Sequence, residues 1–226
     1  MSKTPITTSV VVPFHRNVAH LRRCLGALRA AGQALPPAAL REVIVVADGA
    51  AENPEGVVRD EGAVLLTIDG PRGPAVARNR GAAQATGNVL VFVDSDVVVH
   101  EDALVRLARV FADEQVDAAI GAYDEQPDDP GFVSQCRNLA HAFIHRRASG
   151  EAHTFWGGLG AVRAEAFQRV GGFDERFTRP SVEDIDLGYR IGAAGYRILL
   201  DPRIEGQHLK RWTLRSAVVS DIRDRG

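Results

Sequence analysis

Apolar and polar positions alternate along the first half of the chain in blocks that predict strands and helices in turn. Short runs rich in β-branched residues predict five strands, at residues 9–13, 42–46, 63–68, 89–93 and 118–122. Apolar residues at helical spacing predict helices that begin after Asn17 and that cover residues 74–85 and 103–111. Continuous apolar strands separated by helices are typical of a mostly parallel sheet covered on both faces, so the sequence predicts an α/β fold.

The second half of the chain is less regular. Helical patterns cover residues 132–147 and 183–194, and a glycine-rich stretch covers residues 156–160. From His208 onward the pattern is that of a basic tail. A length of 226 residues suits one domain with a substantial core.

The composition narrows the classes of protein that need to be considered. The formal net charge of −2 gives no whole-chain reason to expect nucleic-acid binding. Cys24 and Cys136 lie far apart with no His or further Cys beside them, so we expect neither a disulfide framework nor a zinc site. The first residues lack the apolar region of a signal peptide, and no apolar run approaches the ~20 residues that span a bilayer. We therefore expect a cytoplasmic protein.

Acidic residues follow two of the predicted strands. Asp48 ends the second strand, and Asp94-Ser95-Asp96 closes the fourth. Ligands of open α/β sheets bind outside the carboxyl ends of the strands. Two carboxylates at such an edge can hold Mn²⁺ or Mg²⁺, which neutralises the charge of a diphosphate. The alternative for an isolated D-x-D is a surface turn with two solvated acids.

Several short motifs follow one another in a specific order between residues 9 and 208. They are residues 11–13, 45–49, 73–81, 85–87, 91–96, 171–175 and 183–190. In this order and spacing the chain resembles glycosyltransferase family 2. The resemblance implies a single GT-A domain with a nucleotide-binding half (about 1–100), an acceptor-binding half (about 101–208) and a tail (209–226). It also implies a nucleotide-sugar donor, most often a uridine nucleotide, and inversion of the anomeric centre.

The resemblance also implies a nucleotide site built mainly from the first half. Its members would be Pro13, Phe14, Asp48, Arg72, Arg78, Asn79, Asp94 and Ser95. Asp48 would accept a hydrogen bond from the base, or be only a turn acid, and Asp94 would contact ribose or metal-bound water. Arg72 could equally be solvated. Arg78 and Asn79 could be a pair on the helix surface, or they could only brace the loop that holds Arg72.

The metal and the catalytic base are the other roles that the resemblance implies. Asp96 would bind the metal, and His208 lies where some members complete that site, although a lone histidine is more often structural. Inversion needs a carboxylate that takes the proton of the attacking hydroxyl. In the family the second acid of the pair Glu183-Asp184 does this, hence Asp184. The alternative is that these acids only stabilise a helix start, with Ser181 and Asp184 as a capping box.

On the acceptor side, Trp156, Gly157 and Gly158 would form a floor where the backbone approaches a sugar and the indole stacks on it. The alternative is a core tryptophan beside a turn. The chain departs from many relatives at Ala47 and Ala50, where acids and a serine are common, and this bears on the nucleotide more than on the reaction class.

Other classes of protein fit these motifs less well. A nucleotidyltransferase would share the sheet and the metal carboxylates, but it needs a glycine- and basic-rich loop after the first strand, and residues 13–17 contain no glycine. A nicotinamide dehydrogenase would need a G-x-G-x-x-G after the first strand, and that motif is absent. A non-catalytic nucleotide-sugar-binding module is disfavoured because Asp94, Asp96 and Asp184 are all present.

The C-terminal tail is basic and amphipathic. From His208 to Gly226 it carries five Lys or Arg residues and two acids, a local charge of +3. Leu214, Val218 and Ile222 recur at helical spacing. Such a segment can bind peripherally to the inner face of a cell membrane. The alternative is a terminal helix that packs this stripe on the protein's own core. The acceptor, whether carbohydrate, lipid-linked or protein, is not defined by these features.

Overall fold

The computed structural model describes residues 5–225, with side chains as far as Ser220. The strands are β1 (Thr8–Phe14), β2 (Leu40–Asp48), β3 (Val64–Ile68), β4 (Val89–Val93), β5 (Val97–Val99), β6 (Ala118–Tyr123), β7 (Gly150–Ala152), β8 (Leu159–Arg163) and β9 (Ile198–His208). The helices are α1 (Val18–Gln33), α2 (Glu55–Asp60), α3 (Pro74–Gln84), α4 (Ala103–Phe111), α5 (Phe132–Arg147), α6 (Ala164–Arg169), α7 (Glu183–Ala193) and α8 (Leu214–Arg225).

Within these residues the strands form one sheet in the order β3-β2-β1-β4-β8-β6-β9-β5, and β7 pairs with β9. The pairs β1–β2, β2–β3 and β1–β4 are parallel, so the carboxyl ends of these strands lie at one edge. Strand β8 runs antiparallel between β4 and β6, while β6 and β9 are again parallel. The expected α/β fold with a single sheet is confirmed.

Helices cover both faces of the sheet, as the continuous apolar strands predict. In β1, Val10 and Val12 belong to one core cluster and Val11 to the other, because successive side chains of a strand point to opposite faces. Helices α1 and α4 pack on the first face, and α3 and α7 pack on the second. Each buried strand therefore needs apolar residues at consecutive positions.

Strand β9 is the main element that the sequence pattern did not predict. It runs over eleven residues and interrupts its apolar positions with Pro202, Glu205 and Gln207. His208 is the last residue of this strand, so the predicted tail at residues 209–226 follows the last strand directly. The terminal helix α8 begins only at Leu214.

The predicted stripe on the terminal helix does not pack on the core at the two positions that are described. Leu214 is 73% exposed and Val218 is 55% exposed. The third stripe residue, Ile222, lies outside the described side chains. Among the described residues, no helix combines the length and apolar character needed to cross a bilayer.

Candidate active site

The candidate site lies at the edge where the parallel strands β1, β2 and β4 end. Pro13 is half-buried near the end of β1, and Asp94 and Ser95 are half-buried directly after β4. The structure does not bring the side chain of Phe14 to this edge, since it is 1% exposed within the core. A contact of Phe14 with the nucleotide would have to use the backbone, and it stays a prediction.

Asp48 ends β2 and is used to shape the next loop. Its Oδ1 accepts the backbone N–H of Arg72 at 2.7 Å, and its Oδ2 accepts that of Gly73 at 2.7 Å. The side chain of Arg72 is exposed. These two bonds occupy one lone pair of each carboxylate oxygen and leave the other. The contact of Asp48 with the base therefore stays a prediction.

Arg78 connects the two acidic motifs. Its Nη2 lies 2.8 Å from Oδ1 of Asp94, and its Nη1 lies 2.9 Å from Oε1 of Glu183. The residue is 4% exposed, and its guanidinium lies 5.3 Å from the ring centroid of Phe173. Burial disfavours the charged form of Arg78, but the carboxylates of Asp94, Glu183 and Asp184 outweigh it and raise its pKa. The helix-surface alternative is therefore wrong for Arg78.

Asn79 braces a neighbouring loop. Its side-chain amide donates to the carbonyl of Phe173 at 2.8 Å and to Glu175 at 3.1 Å, and its Oδ1 accepts the N–H of Phe173 at 2.9 Å. These contacts commit the amide to residues 173–175, which is a different segment from the Arg72 loop that the sequence suggested it braces. A contact of Asn79 with the nucleotide stays untested.

The neighbouring acids Glu183 and Asp184 have different surroundings. Glu183 is 4% exposed, and its two oxygens are bonded to Arg78 and to the N–H of Ser181. Asp184 is half-buried and accepts the N–H of Gly157 at 3.1 Å and of Ile185 at 2.8 Å. Helix α7 has Val182 at its N-cap and no side-chain cap, so the Ser181–Asp184 capping box does not form.

The electrostatic environment of Asp184 suits proton transfer near neutral pH. Burial raises the pKa of Asp184 to about 6, and the neighbouring Glu183 also raises it. Arg78 and two backbone N–H groups act in the opposite direction but do not outweigh burial. A carboxylate with a raised pKa is a better proton acceptor at neutral pH than an ordinary Asp. The geometry leaves Asp184, rather than Glu183, available to an incoming hydroxyl.

Asp96 and His208 face each other because β5 and β9 pair directly after the D-x-D. Val97 is the register partner of His208, and the N–H of Leu209 donates to the carbonyl of Asp96 at 2.9 Å. Nε2 of His208 lies 3.6 Å from Oδ2 of Asp96. Burial works against ionisation of Asp96, but His208 and Lys210, with His20, lower its pKa overall.

This carboxylate–imidazole pair fits a hard divalent cation that is also bound by diphosphate oxygens. One carboxylate with an imidazole is an acceptable donor set for Mn²⁺, and Mg²⁺ is typically held by one or two carboxylates plus phosphates. Among the described residues, no group of three or more His, Cys, Asp or Glu could hold a metal ion alone. Of the three predicted metal ligands, the structure brings Asp96 and His208 together, whereas Asp94 pairs with Arg78. Metal binding by these residues stays a prediction.

The glycines of the acceptor-side stretch make room for other side chains of the protein. A Cβ at Gly157 would lie 2.9 Å from Cζ of Arg78, and a Cβ at Gly158 would lie 2.7 Å from the indole of Trp156. The carbonyl of Gly158 also accepts the N–H of Asp94 at 3.1 Å. The absence of side chains at Gly157 and Gly158 thus lets this segment pack closely against Arg78 and the D-x-D. The sequence alone did not reveal this reason for the two glycines.

An aromatic and histidine cluster behind Trp156 was also missed by the sequence analysis. Tyr123 stacks on His208 with ring centroids 4.3 Å apart and an angle of 7° between the planes. His141 contacts Tyr123 and Trp156 at centroid distances of 4.4 and 4.6 Å, and His145 contacts Trp156 at 5.3 Å. Burial lowers the pKa of His141 to about 3, so its ring is neutral. The i, i+4 spacing of His141 and His145 was the available signal.

Comparison with known proteins gives the family. The model described as Glycosyl transferase family 2 matches residues 9–171, and one described as N-terminal domain of galactosyltransferase matches residues 137–210. The pre-mycofactocin glycosyltransferase of Mycobacterium tuberculosis is 32% identical over 217 residues, which cover 92% of this chain and 43% of that protein. The chain belongs to glycosyl transferase family 2.

Solved structures confirm the fold. A mannosyltransferase from Pyrobaculum calidifontis, in complex with GDP-Man and Mn²⁺, matches with a TM-score of 0.73 at 24% identity over 95% of this chain and 60% of that one. GalNAc-T7 with UDP, GalNAc and Mn²⁺ matches with a TM-score of 0.70 at 20% identity over 93% and 45%. The fold is therefore GT-A. The chain spans about half the length of the curated relatives that it matches.

Proposed function

We propose that this chain catalyses inverting transfer of a sugar from a nucleoside diphosphate to a hydroxyl group. The observation that carries the proposal is the Asp94–Arg78–Glu183 chain, which joins the D-x-D to the helix start that holds Asp184. One buried guanidinium would thus hold the donor side and the base in a fixed relative position. The raised pKa of Asp184 supports its role as the base.

The donor would lie along the carboxyl edge, with its base near Asp48 and its ribose near Asp94. The fold neighbours that were solved with GDP-Man, or with UDP and GalNAc, also contain Mn²⁺, which supports a nucleotide-sugar donor and a divalent metal for this chain. A Mn²⁺ or Mg²⁺ ion held by Asp96 and His208 would neutralise the charge on the departing diphosphate. We propose a uridine nucleotide as the first donor to test.

The reaction would be a single displacement. The acceptor oxygen forms a bond to the anomeric carbon while the bond from that carbon to the diphosphate oxygen breaks, and its electron pair leaves with the diphosphate. The hydroxyl proton passes to a carboxylate oxygen of Asp184. Trp156 and the backbone at Gly157 form the floor on this side, since Gly157 donates directly to Asp184.

Contact with a membrane would bear on which acceptor the chain uses. The basic tail was predicted to bind an anionic membrane surface, and the exposure of Leu214 and Val218 supports that proposal over packing on the core. Peripheral attachment at the inner face of the cell membrane would be consistent with a lipid-linked acceptor.

Release of nucleoside diphosphate tests the proposal. The chain is incubated with UDP- and GDP-sugars and Mn²⁺, with EDTA and the Asp96→Asn variant as controls. We expect release from at least one donor, abolished by EDTA and nearly abolished in the variant. Tight donor binding without release from any donor, with or without candidate acceptors, would instead favour the non-catalytic binding module.

A further inference from the structure

Helix α5 turns small and polar residues toward the core of the protein and its large apolar residues toward the outside. The residues that it buries are Ser134, Asn138 and Ala142, spaced at i, i+4 and i+8. Its large apolar residues face outward: Phe132 is 81% exposed, Leu139 42%, Phe143 60% and Ile144 61%. An amphipathic helix normally buries its apolar stripe, so this outer face is arranged to be covered by something else.

The start of the terminal helix extends this face. Trp212 links the two segments, because its backbone N–H donates to Oγ of Ser134 at 2.7 Å and the guanidinium of Arg137 lies 4.6 Å from its ring centroid. Beyond it, α8 exposes three more apolar side chains: Leu214 at 73%, Val218 at 55% and Val219 at 55%. We call the exposed apolar residues of both helices the α5–α8 face.

Basic residues outnumber acids around the α5–α8 face. No acid occurs in residues 132–147 or in residues 209–220, and the two acids of α8, Asp221 and Asp224, come only after Ser220. Arg147 lies over the ring of Phe143, and Arg215 is exposed on the first turn of α8. Arg146 and Arg211 are not counted here, because Glu125 and Glu205 pair with Arg146 and because Asp129 lies 3.9 Å from Arg211. An apolar stripe with a basic margin is the pattern that binds the headgroup region of anionic bilayers.

We propose that the α5–α8 face docks on an anionic lipid bilayer and that the sugar acceptor is carried by a lipid of that bilayer. The inner side of α5 carries His141 and His145, which contact Trp156 of the acceptor floor. Docking through the outer side would therefore place the floor about one helix diameter, ~10 Å, from the headgroups. A second copy of this chain fits less well as the occupant, since two basic margins would repel each other. The acceptor part rests on the proposed function.

Vesicle binding tests the docking directly. The wild-type chain and the double variant Phe143→Asp, Ile144→Asp are sedimented with phosphatidylcholine vesicles that contain or lack phosphatidylglycerol. The matched control is Val64→Asp, which adds an acid at an apolar position 46% exposed on β3, at the opposite end of the sheet. We expect salt-sensitive binding of wild type and control to the anionic vesicles. The double variant should bind roughly tenfold or more weakly, since burying one such side chain is worth about that factor.

A native cysteine gives a second readout that does not depend on a variant. Cys136 is exposed on the outer side of α5, whereas Cys24 is buried with a raised pKa, so a thiol-reactive environment-sensitive dye labels Cys136. We expect blue-shifted emission from the dye when anionic vesicles are added. No shift, no binding of wild type, or equal loss in Val64→Asp and the double variant would overturn the docking proposal. A concentration-dependent dimer that loses its contact in the double variant would show a second copy to be the occupant.

The acceptor is tested with donor cleavage as the reference. Nucleoside diphosphate release in detergent-free buffer should be equal in wild type and the double variant, while transfer to a lipid extract presented in anionic vesicles should fall only in the double variant. Transfer to soluble sugars with no gain from the lipid extract would overturn the lipid acceptor. No donor cleavage by any variant would contradict the proposed function alone, because vesicle binding is measured without a donor.

Discussion

Replacement of Arg78 by methionine is the perturbation with the largest expected consequences. Methionine keeps most of the apolar volume of the side chain and removes its charge. Two carboxylates then lose their partner, Asp94 at 2.8 Å and Glu183 at 2.9 Å. The two do not contribute equally to the cost, because the side chain of Asp94 is 36% exposed and can be hydrated, whereas that of Glu183 is 5% exposed.

The expected loss of stability depends mainly on Glu183, the more deeply buried of the two carboxylates. Removal of one member of a buried ion pair costs about 3–5 kcal/mol, because the other charge stays buried without compensation. Only Glu183 fully meets that description, so we expect Arg78→Met to lower the free energy of unfolding by about 3 kcal/mol. The double variant Arg78→Met, Glu183→Gln removes the stranded charge and should recover a large part of this loss.

Urea unfolding of the variants measures this directly. The matched control is Arg176→Met. The side chain of Arg176 is 91% exposed and pairs with Asp174, so its removal should change stability little. Arg78 also lowers the pKa of Asp184, so its removal should move the acidic limb of activity to higher pH. A loss below about 1 kcal/mol, the range of surface pairs, would refute the view that Arg78 is the buried link between the two motifs.

Three further predictions concern single side chains. Asp184 must be ionised to accept a proton and its pKa is raised to about 6, so nucleoside diphosphate release should fall about tenfold per pH unit below that value; activity that stays level to pH ~4.5 would exclude it as the base. Tyr123→Ala should weaken Mn²⁺ binding, measured by electron paramagnetic resonance, by about tenfold while Tyr123→Phe keeps it, because either ring can stack on His208; equal affinities would leave Tyr123 no positioning role. Asp48→Ala should cost about 1–3 kcal/mol in urea unfolding, since it strands the N–H groups of Arg72 and Gly73.

The sequence predicted the features that depend on local pattern. The strands at residues 89–93 and 118–122 and the helices at 103–111 and 132–147 match the structure closely because their apolar periods are clear. Asp48 and the D-x-D could be placed at one edge because parallel strands bring their carboxyl ends together. Strand β9 was missed because its polar residues break the apolar run.

Contacts between distant segments could not be predicted in the same way. Arg78 and Glu183 are 105 positions apart, and nothing in the local pattern of α3 shows which partner its arginine meets. The periodicity of α5 predicted a helix, but periodicity alone does not show that Ser134, Asn138 and Ala142 form the inner side. The role of Gly157 depends on the guanidinium that packs against it, which only the tertiary structure reveals.

In the proposed mechanism, one side of the site binds the donor through Asp96, while the other side, at Asp184, only moves a proton. The measurement that tests it most directly compares donor affinity and nucleoside diphosphate release, both with Mn²⁺, in Asp96→Asn and Asp184→Asn. We expect Asp96→Asn to lose metal-dependent donor binding and release together. Asp184→Asn should bind the donor as wild type does and turn over ~10²-fold or more slowly. Donor affinity that collapses in Asp184→Asn, or release that survives in Asp96→Asn, would contradict this division of the site.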